Sequence, residues 1–233
     1  MGCFDLREKL VTTVKAQAER TEMLDERAVP QVEQCPTCGA DVPEGFRFCG
    51  QCGRALAATL APIPGSLVTI VFTDLEGFTT FASQAAQPVV RDLILTYHGL
   101  VREQVSSHGG FEVKQTGDGF MIAFSSAARA VLCAKDIQRA MAPQSQDHIG
   151  HHTRVRVGLN SGDAIREGDD FFGHMVNIAS RIAGRAVGGQ VLVSEATRIA
   201  AGHVEGVQFV DIGRRRLRGV RGRHRFYEVR WWE

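Results

Sequence analysis

The 233-residue chain has no apolar run long enough to cross a bilayer: the longest, residues 67 to 72, is far short of the roughly 20 residues a spanning helix needs. Its first twenty residues mix acids and bases without the apolar stretch of a signal peptide, so the expectation is a soluble, cytoplasmic protein. Charge of one sign is missing as well. Lys and Arg number 27 and Asp and Glu 26, for a net charge of +1, so no global polarity points to nucleic acid, an acidic membrane or a disordered acidic tail. Any charged function must be local. The opening Met-Gly-Cys lacks the Ser or Thr that myristoylation wants at the sixth position, which is Leu6. Cysteines are few, 6 in all, and four of them fall in two close pairs while Cys3 and Cys133 stand alone. That is metal-ligand spacing in a reducing compartment rather than a disulfide framework.

What is present is 44% apolar content, enough for one well-buried domain of ordinary size and a small appendage. Residues 1–30 read as an amphipathic helix, with Leu6, Leu10, Val14 and Ala18 four apart, ended by Pro30. A compact Cys and Gly segment covers 31–58, a Pro-containing linker 59–66, and the main domain 67–233. In that domain apolar strands and amphipathic helices interleave: a strand at 68–74, a helix near 88–106, and short strands at 111–115 and 120–124 around Gly117-Asp118-Gly119. Then follow a helix near 126–141, a strand at 154–160, a helix near 172–186, a strand at 190–193, a short helix capped by Ser194, and strands near 209–212 and 226–229. The pattern predicts an α+β class, an α/β sandwich with a mixed sheet covered by helices.

Cys35-Pro-Thr-Cys38 and Cys49-Gly-Gln-Cys52 are two CxxC knuckles separated by ten residues, each followed by Gly. Four thiolates so spaced suit one tetrahedral, structural Zn²⁺. Two redox pairs are the other reading, and no helix pattern follows either pair to support it. The segment resembles zinc-ribbon modules.

Asp74 closes an apolar strand before Leu75-Glu-Gly-Phe78, and Asp118 sits at a hairpin tip between two glycines. Each alone also reads as an ordinary turn residue. If their strands are neighbours, both carboxylates enter one crevice, where they repel unless cations lie between them; two Mg²⁺ or Mn²⁺ ions serving a nucleotidyl transfer fit that arrangement.

Three stretches carry a specific likeness: Phe72-Thr-Asp-Leu-Glu-Gly-Phe-Thr79, Lys114-Gln-Thr-Gly-Asp-Gly-Phe120, and Asp170-Phe-Phe-Gly-His-Met-Val-Asn-Ile-Ala-Ser-Arg181. They resemble the signature stretches of the class III nucleotidyl cyclases, a likeness running from about Val68 to Val229. The resemblance implies a ferredoxin-like catalytic domain that pairs head to tail, with active sites shared between protomers. It implies that Asp74 and Asp118 hold the two ions, with the Leu75 carbonyl as an extra ligand. Lys114 and Asp170 would read the purine, a pair of the adenylyl type, and Asn177 and Arg181 would act on the ribose and on charge at phosphorus. Phe78 and Arg218 would lie near the phosphates. Adenine offers an acceptor at N1 and a donor amino group, which Lys and Asp complement.

The expected activity is therefore conversion of ATP to cyclic AMP and pyrophosphate by a homodimer. A GTP-using cyclase and a nucleotide-sensing or partner-binding module without turnover are the rival readings. Asn177 and Arg181 taken alone also read as surface helix residues. The arginine-rich run 214–225 reads first as a charged sheet edge, then as a phosphate contact, and last as a nucleic-acid contact. His148, His151 and His152 read as a solvated loop.

Overall fold

In the computed structural model, residues 66–142 and 154–232 are described, together with Gln34, Cys35, Cys38–Asp41, Gln51 and Pro62. The expected N-terminal helix, Cys49, Cys52, His148, His151 and His152 lie outside the described residues.

Strand β1 (Val68–Leu75) is an apolar run because it lies mid-sheet with both faces covered. Its neighbours are β3 (Gly119–Phe124) and β4 (Val155–Gly162), both antiparallel to it. With β2 (Phe111–Thr116), β7 (Val191–Ser194), β8 (Gln208–Arg215) and β9 (His224–Arg230), they form a seven-stranded mixed sheet ordered β2-β3-β1-β4-β7-β9-β8. Only β4 and β7 run parallel, and the chain between them contains a helix, as a parallel crossover requires.

Side-chain alternation divides the core in two. Val71, Phe120, Ile122, Val157 and Val193 meet helices α2 (Gln87–Ser107), α3 (Ala127–Met141) and α5 (Glu195–Ala201) on one face. Val68, Ile70, Met121 and Ala123 meet α4 (His174–Ala183) on the other, through Met175 and Ala179. Ser126 and Ser194 cap α3 and α5, accepting from the amides of Arg129 and Thr197.

The α+β class with a mixed, helix-covered sheet matches the expectation, while two local elements differ. The helix expected from about residue 172 begins at His174, because Asp170–Phe172 form a strand, β6, paired with β5 (Ile165–Glu167). Helix α1 (Phe78–Gln84) has no counterpart among the expected elements; it is only seven residues long and has no side-chain cap to announce it.

Helix α4 lies directly on the backbone of β4. A Cβ at Gly158 would sit 2.1 Å from the Ala183 nitrogen. Gly158→Ala is therefore expected to cost about 2 kcal/mol, a loss of roughly 4–8 °C in melting temperature by calorimetry.

Candidate active site

The strand order makes β1 and β3 neighbours, so Asp74, near the end of β1, and Asp118, in the turn before β3, lie at the same end of the sheet. They are joined through the main chain: the Leu75 amide donates to Asp118 Oδ2 at 3.3 Å. Asp74 occupies an even position on β1, with Ile70 and Phe72, on the α4 side of the sheet. Its antiparallel partner on β4 is Arg156, and the guanidinium pairs with the Asp74 carboxylate. Arg156 is absent from the sequence-based set, since only strand register brings it to a residue 82 positions away.

Lys114 and Asp170 also meet. Lys114 Nζ donates to Asp170 Oδ2 at 2.5 Å and lies 5.6 Å from the centre of the Phe172 ring. A β-bulge makes this contact: the β2–β3 register shifts between Glu112 and Lys114, so Lys114 lies opposite Met121, on the α4 side. Regular alternation would turn it to the other face. The Phe171 amide holds the second oxygen of Asp170 at 2.8 Å. The hydrogen bond from Lys114 keeps the Asp170 carboxyl below the usual carboxylate range. A depressed value means that the charged pair is present above the ordinary range and is lost only as pH falls through the lowered one.

Asn177 and Arg181, one helical turn apart on α4, are both exposed. Among the described residues no hydrogen bond or ion pair joins Lys114, Asp170, Asn177 or Arg181 to Asp74 or Asp118. Among the described residues these contacts make two bonded sets, Lys114 with Asp170 and Asp118 with the main chain beside Asp74, and Asn177 and Arg181 are bonded to neither.

Phe78 opens α1 and packs against the core, half-buried. Arg218 is exposed in the β8–β9 connection, next to Leu217, which is buried against Ile182 of α4. Strand β8 is the sheet edge, and Arg214 and Arg215 sit on it, in keeping with the edge reading of the arginine run. Of the cysteine pairs, Cys35 is buried and Cys38 exposed; the Cys35 amide donates to the Ala40 carbonyl, and the Gly39 amide to that of Cys35, as in a knuckle turn.

The donors at Asp74, Asp118 and the Leu75 main chain are all hard oxygens. That set fits Mg²⁺ or Mn²⁺, which are commonly held by one or two carboxylates with water and substrate oxygens completing the shell. The Arg156 guanidinium at Asp74 marks a place where positive charge is favoured.

A family model described as the adenylate and guanylate cyclase catalytic domain matches residues 63–230, and a zinc-ribbon model matches residues 34–56. The pH-sensitive adenylate cyclase of Mycobacterium tuberculosis is 34% identical over 173 residues, covering 72% of this chain and 42% of that protein. A receptor-type adenylate cyclase of Trypanosoma congolense is 32% identical over 197 residues, covering 66% of this chain and 26% of its own. The chain therefore spans less than half the length of either relative. Among solved structures, an adenylate cyclase from Trypanosoma brucei, described in its monomeric state, superimposes with a TM-score of 0.62 at 26% identity, covering 72% of this chain and 91% of its own. The guanylyl cyclase Cya2 does so with a TM-score of 0.59 at 26% identity, covering 73% and 94%. Among the described residues no helix is long and apolar enough to cross a membrane. With the family model spanning the whole described sheet and its helices, the chain belongs to the adenylate and guanylate cyclase catalytic domain family and carries a zinc-ribbon domain ahead of that domain.

Proposed function

We propose that this chain is a cytoplasmic adenylate cyclase that converts ATP to 3′,5′-cyclic AMP and pyrophosphate as a homodimer, each active site drawing residues from both protomers. The observation that carries the reading is the Lys114–Asp170 pair: an ammonium and a carboxylate 2.5 Å apart, both partly open to solvent. Together they offer adenine N1 a donor and the exocyclic amino group an acceptor. Guanine presents the reverse pattern at those two positions, so the pair disfavours it.

Asp74 and Asp118, with the Leu75 carbonyl, would hold two Mg²⁺ or Mn²⁺ ions, which when bound acidify the ribose 3′-hydroxyl and neutralise the triphosphate. Arg156 balances the Asp74 carboxylate and keeps its orientation fixed. From the second protomer, Asn177 orients the ribose. Arg181 faces the charge that builds at the α-phosphorus as the 3′-oxygen attacks in line and pyrophosphate leaves. Phe78 flanks the phosphates. The amides of Leu75 and Glu76 are engaged by Asp118 and the Arg154 carbonyl, which leaves those of Gly77 and Phe78 for an anion. Arg218 would reach the terminal phosphates. Cys35, Cys38, Cys49 and Cys52 would bind one structural Zn²⁺.

The test is turnover of the purified full chain with ATP or GTP and Mn²⁺. Cyclic AMP is expected in clear excess over cyclic GMP, and Lys114→Glu is expected to lower the ATP/GTP preference at least about tenfold, the discrimination of one well-placed hydrogen-bonding pair. Background levels of both cyclic AMP and cyclic GMP from a chain that binds nucleotide end the enzyme reading. A preference for GTP in the unmutated chain favours the guanylyl alternative that the likeness to Cya2 keeps open.

A further inference from the structure

Asp74 and Asp118 lie just beyond the last residue pair that joins β1 to β3. The β1–β3 ladder ends at Thr73 opposite Phe120, so the pairing between these two strands does not reach the two carboxylates, although β4 still pairs with Asp74. Thr73 reinforces that final rung with its side chain. Its Oγ1 accepts from the Phe120 amide at 3.2 Å and also lies 2.7 Å from the Tyr97 hydroxyl. Thr73 adjoins Asp74 and Phe120 is two residues past Asp118, so one hydroxyl ties both carboxylate-bearing segments to helix α2.

Both side chains are enclosed, Tyr97 at 0% and Thr73 at 2% exposure, so neither hydroxyl has water as an alternative partner. The Tyr97 ring packs against Phe120 with centroids 6.0 Å apart, fixing the residue that receives the bridge. At Gly119 the turn touches β1 directly: a Cβ there would lie 2.0 Å from the Thr73 carbonyl oxygen and 3.2 Å from Asp74 Cα. Backbone contact presses the two segments together, and the hydroxyl bridge sets where along the strand they meet. By alternation Thr73 faces the α2 side while Asp74 faces the α4 side, so the bridge touches no substrate.

From this geometry we infer that Tyr97 and Thr73 are positioning residues that set the separation of Asp74 and Asp118 for a divalent cation pair. The inference rests on the metal-dependent cyclase reading. It predicts a defect that appears in metal binding rather than in nucleotide binding or folding, because partners behind a metal ligand typically change affinity by roughly 10- to 100-fold.

The experiment uses the full chain, Tyr97→Phe, Thr73→Val and Thr73→Ser. Tyr97→Phe keeps the ring and its packing, and Thr73→Ser keeps the bridging oxygen. Mn²⁺ binding is measured by electron paramagnetic resonance of the free ion, beside kcat and KM at saturating Mn²⁺ and the melting temperature. Tyr97→Phe and Thr73→Val are expected to weaken Mn²⁺ binding about tenfold, with KM for ATP changed less than about twofold and Thr73→Ser close to wild type. Unaltered Mn²⁺ binding in both variants overturns the inference, as does a fall in melting temperature and kcat with the Mn²⁺ isotherm unchanged. If the wild-type chain binds Mn²⁺ but makes no cyclic nucleotide, the cyclase reading fails, and the isotherms still decide the positioning claim.

Discussion

Asp118→Asn is expected to lower cyclic nucleotide formation on the order of 10³-fold while leaving the melting temperature nearly unchanged. The Asp118 carboxylate accepts from the Leu75 amide, and an Asn side-chain oxygen accepts that bond equally well. What the substitution removes is one negative charge and one hard oxygen donor. If metal-ion stabilisation of the transition state is worth about 4 kcal/mol, its loss is worth about 10³ in rate. Initial rates at saturating ATP and Mn²⁺, beside a thermal melt, check both halves of the statement. Activity within about tenfold of wild type means that Asp118 holds no essential ion. Asp74→Asn is the less clean experiment. It leaves Arg156, whose Nε has no hydrogen-bond partner among the described residues, without its carboxylate, adding a stability cost of roughly 1 kcal/mol for a partly exposed pair.

That contrast between two similar aspartates marks how far the sequence could be read. Asp74 at the end of an apolar strand and Asp118 between two glycines are visible as local pattern, and both stand at the same end of neighbouring strands. The cation beside Asp74 is not. Arg156 sits in an alternating strand, Val155-Arg-Val-Gly-Leu159, where an arginine looks like any outward-facing residue until register sets it opposite Asp74. Lys114 shows the same limit from the other side. Motif spacing singles it out, but strict alternation along β2 would send it to the wrong face, and only the one-residue bulge after Glu112 brings it to Asp170. The β5–β6 hairpin that carries Asp170 escaped because strands of three residues hold too few alternations to register against a helix pattern. The Thr73–Tyr97 bridge is invisible for a different reason. A threonine and a tyrosine 24 positions apart, each at home in its own element, become a unit only when α2 packs across β1. Broad class and alternation were therefore legible because they depend on local burial. The pairing of charged and polar groups was not, because it depends on register between segments distant in sequence.

The placement of these residues leads to the sharpest expectation. Asp74 and Asp118 share one end of the central strands, whereas Asn177 and Arg181 stand on the exposed face of α4 and, among the described residues, make no bond to either. If each active site takes its carboxylates from one protomer and its arginine from the other, Asp118→Asn and Arg181→Ala chains are each inactive as homodimers for different reasons. Mixed, they complement. A dimer of one Asp118→Asn chain and one Arg181→Ala chain has one site carrying both defects and one carrying neither. Random pairing makes about half of the dimers mixed, so the expected recovery is about one quarter of wild-type activity. The rate should rise with the square of enzyme concentration where dimers dissociate. Arg181 is exposed in α4 and Ala is a good helix former, so its substitution has little reason to disturb the fold. Mixtures that stay at the level of the single variants, with dimers present by sedimentation, mean that each protomer builds its site alone; the interface would then stabilise the enzyme without supplying residues to its chemistry.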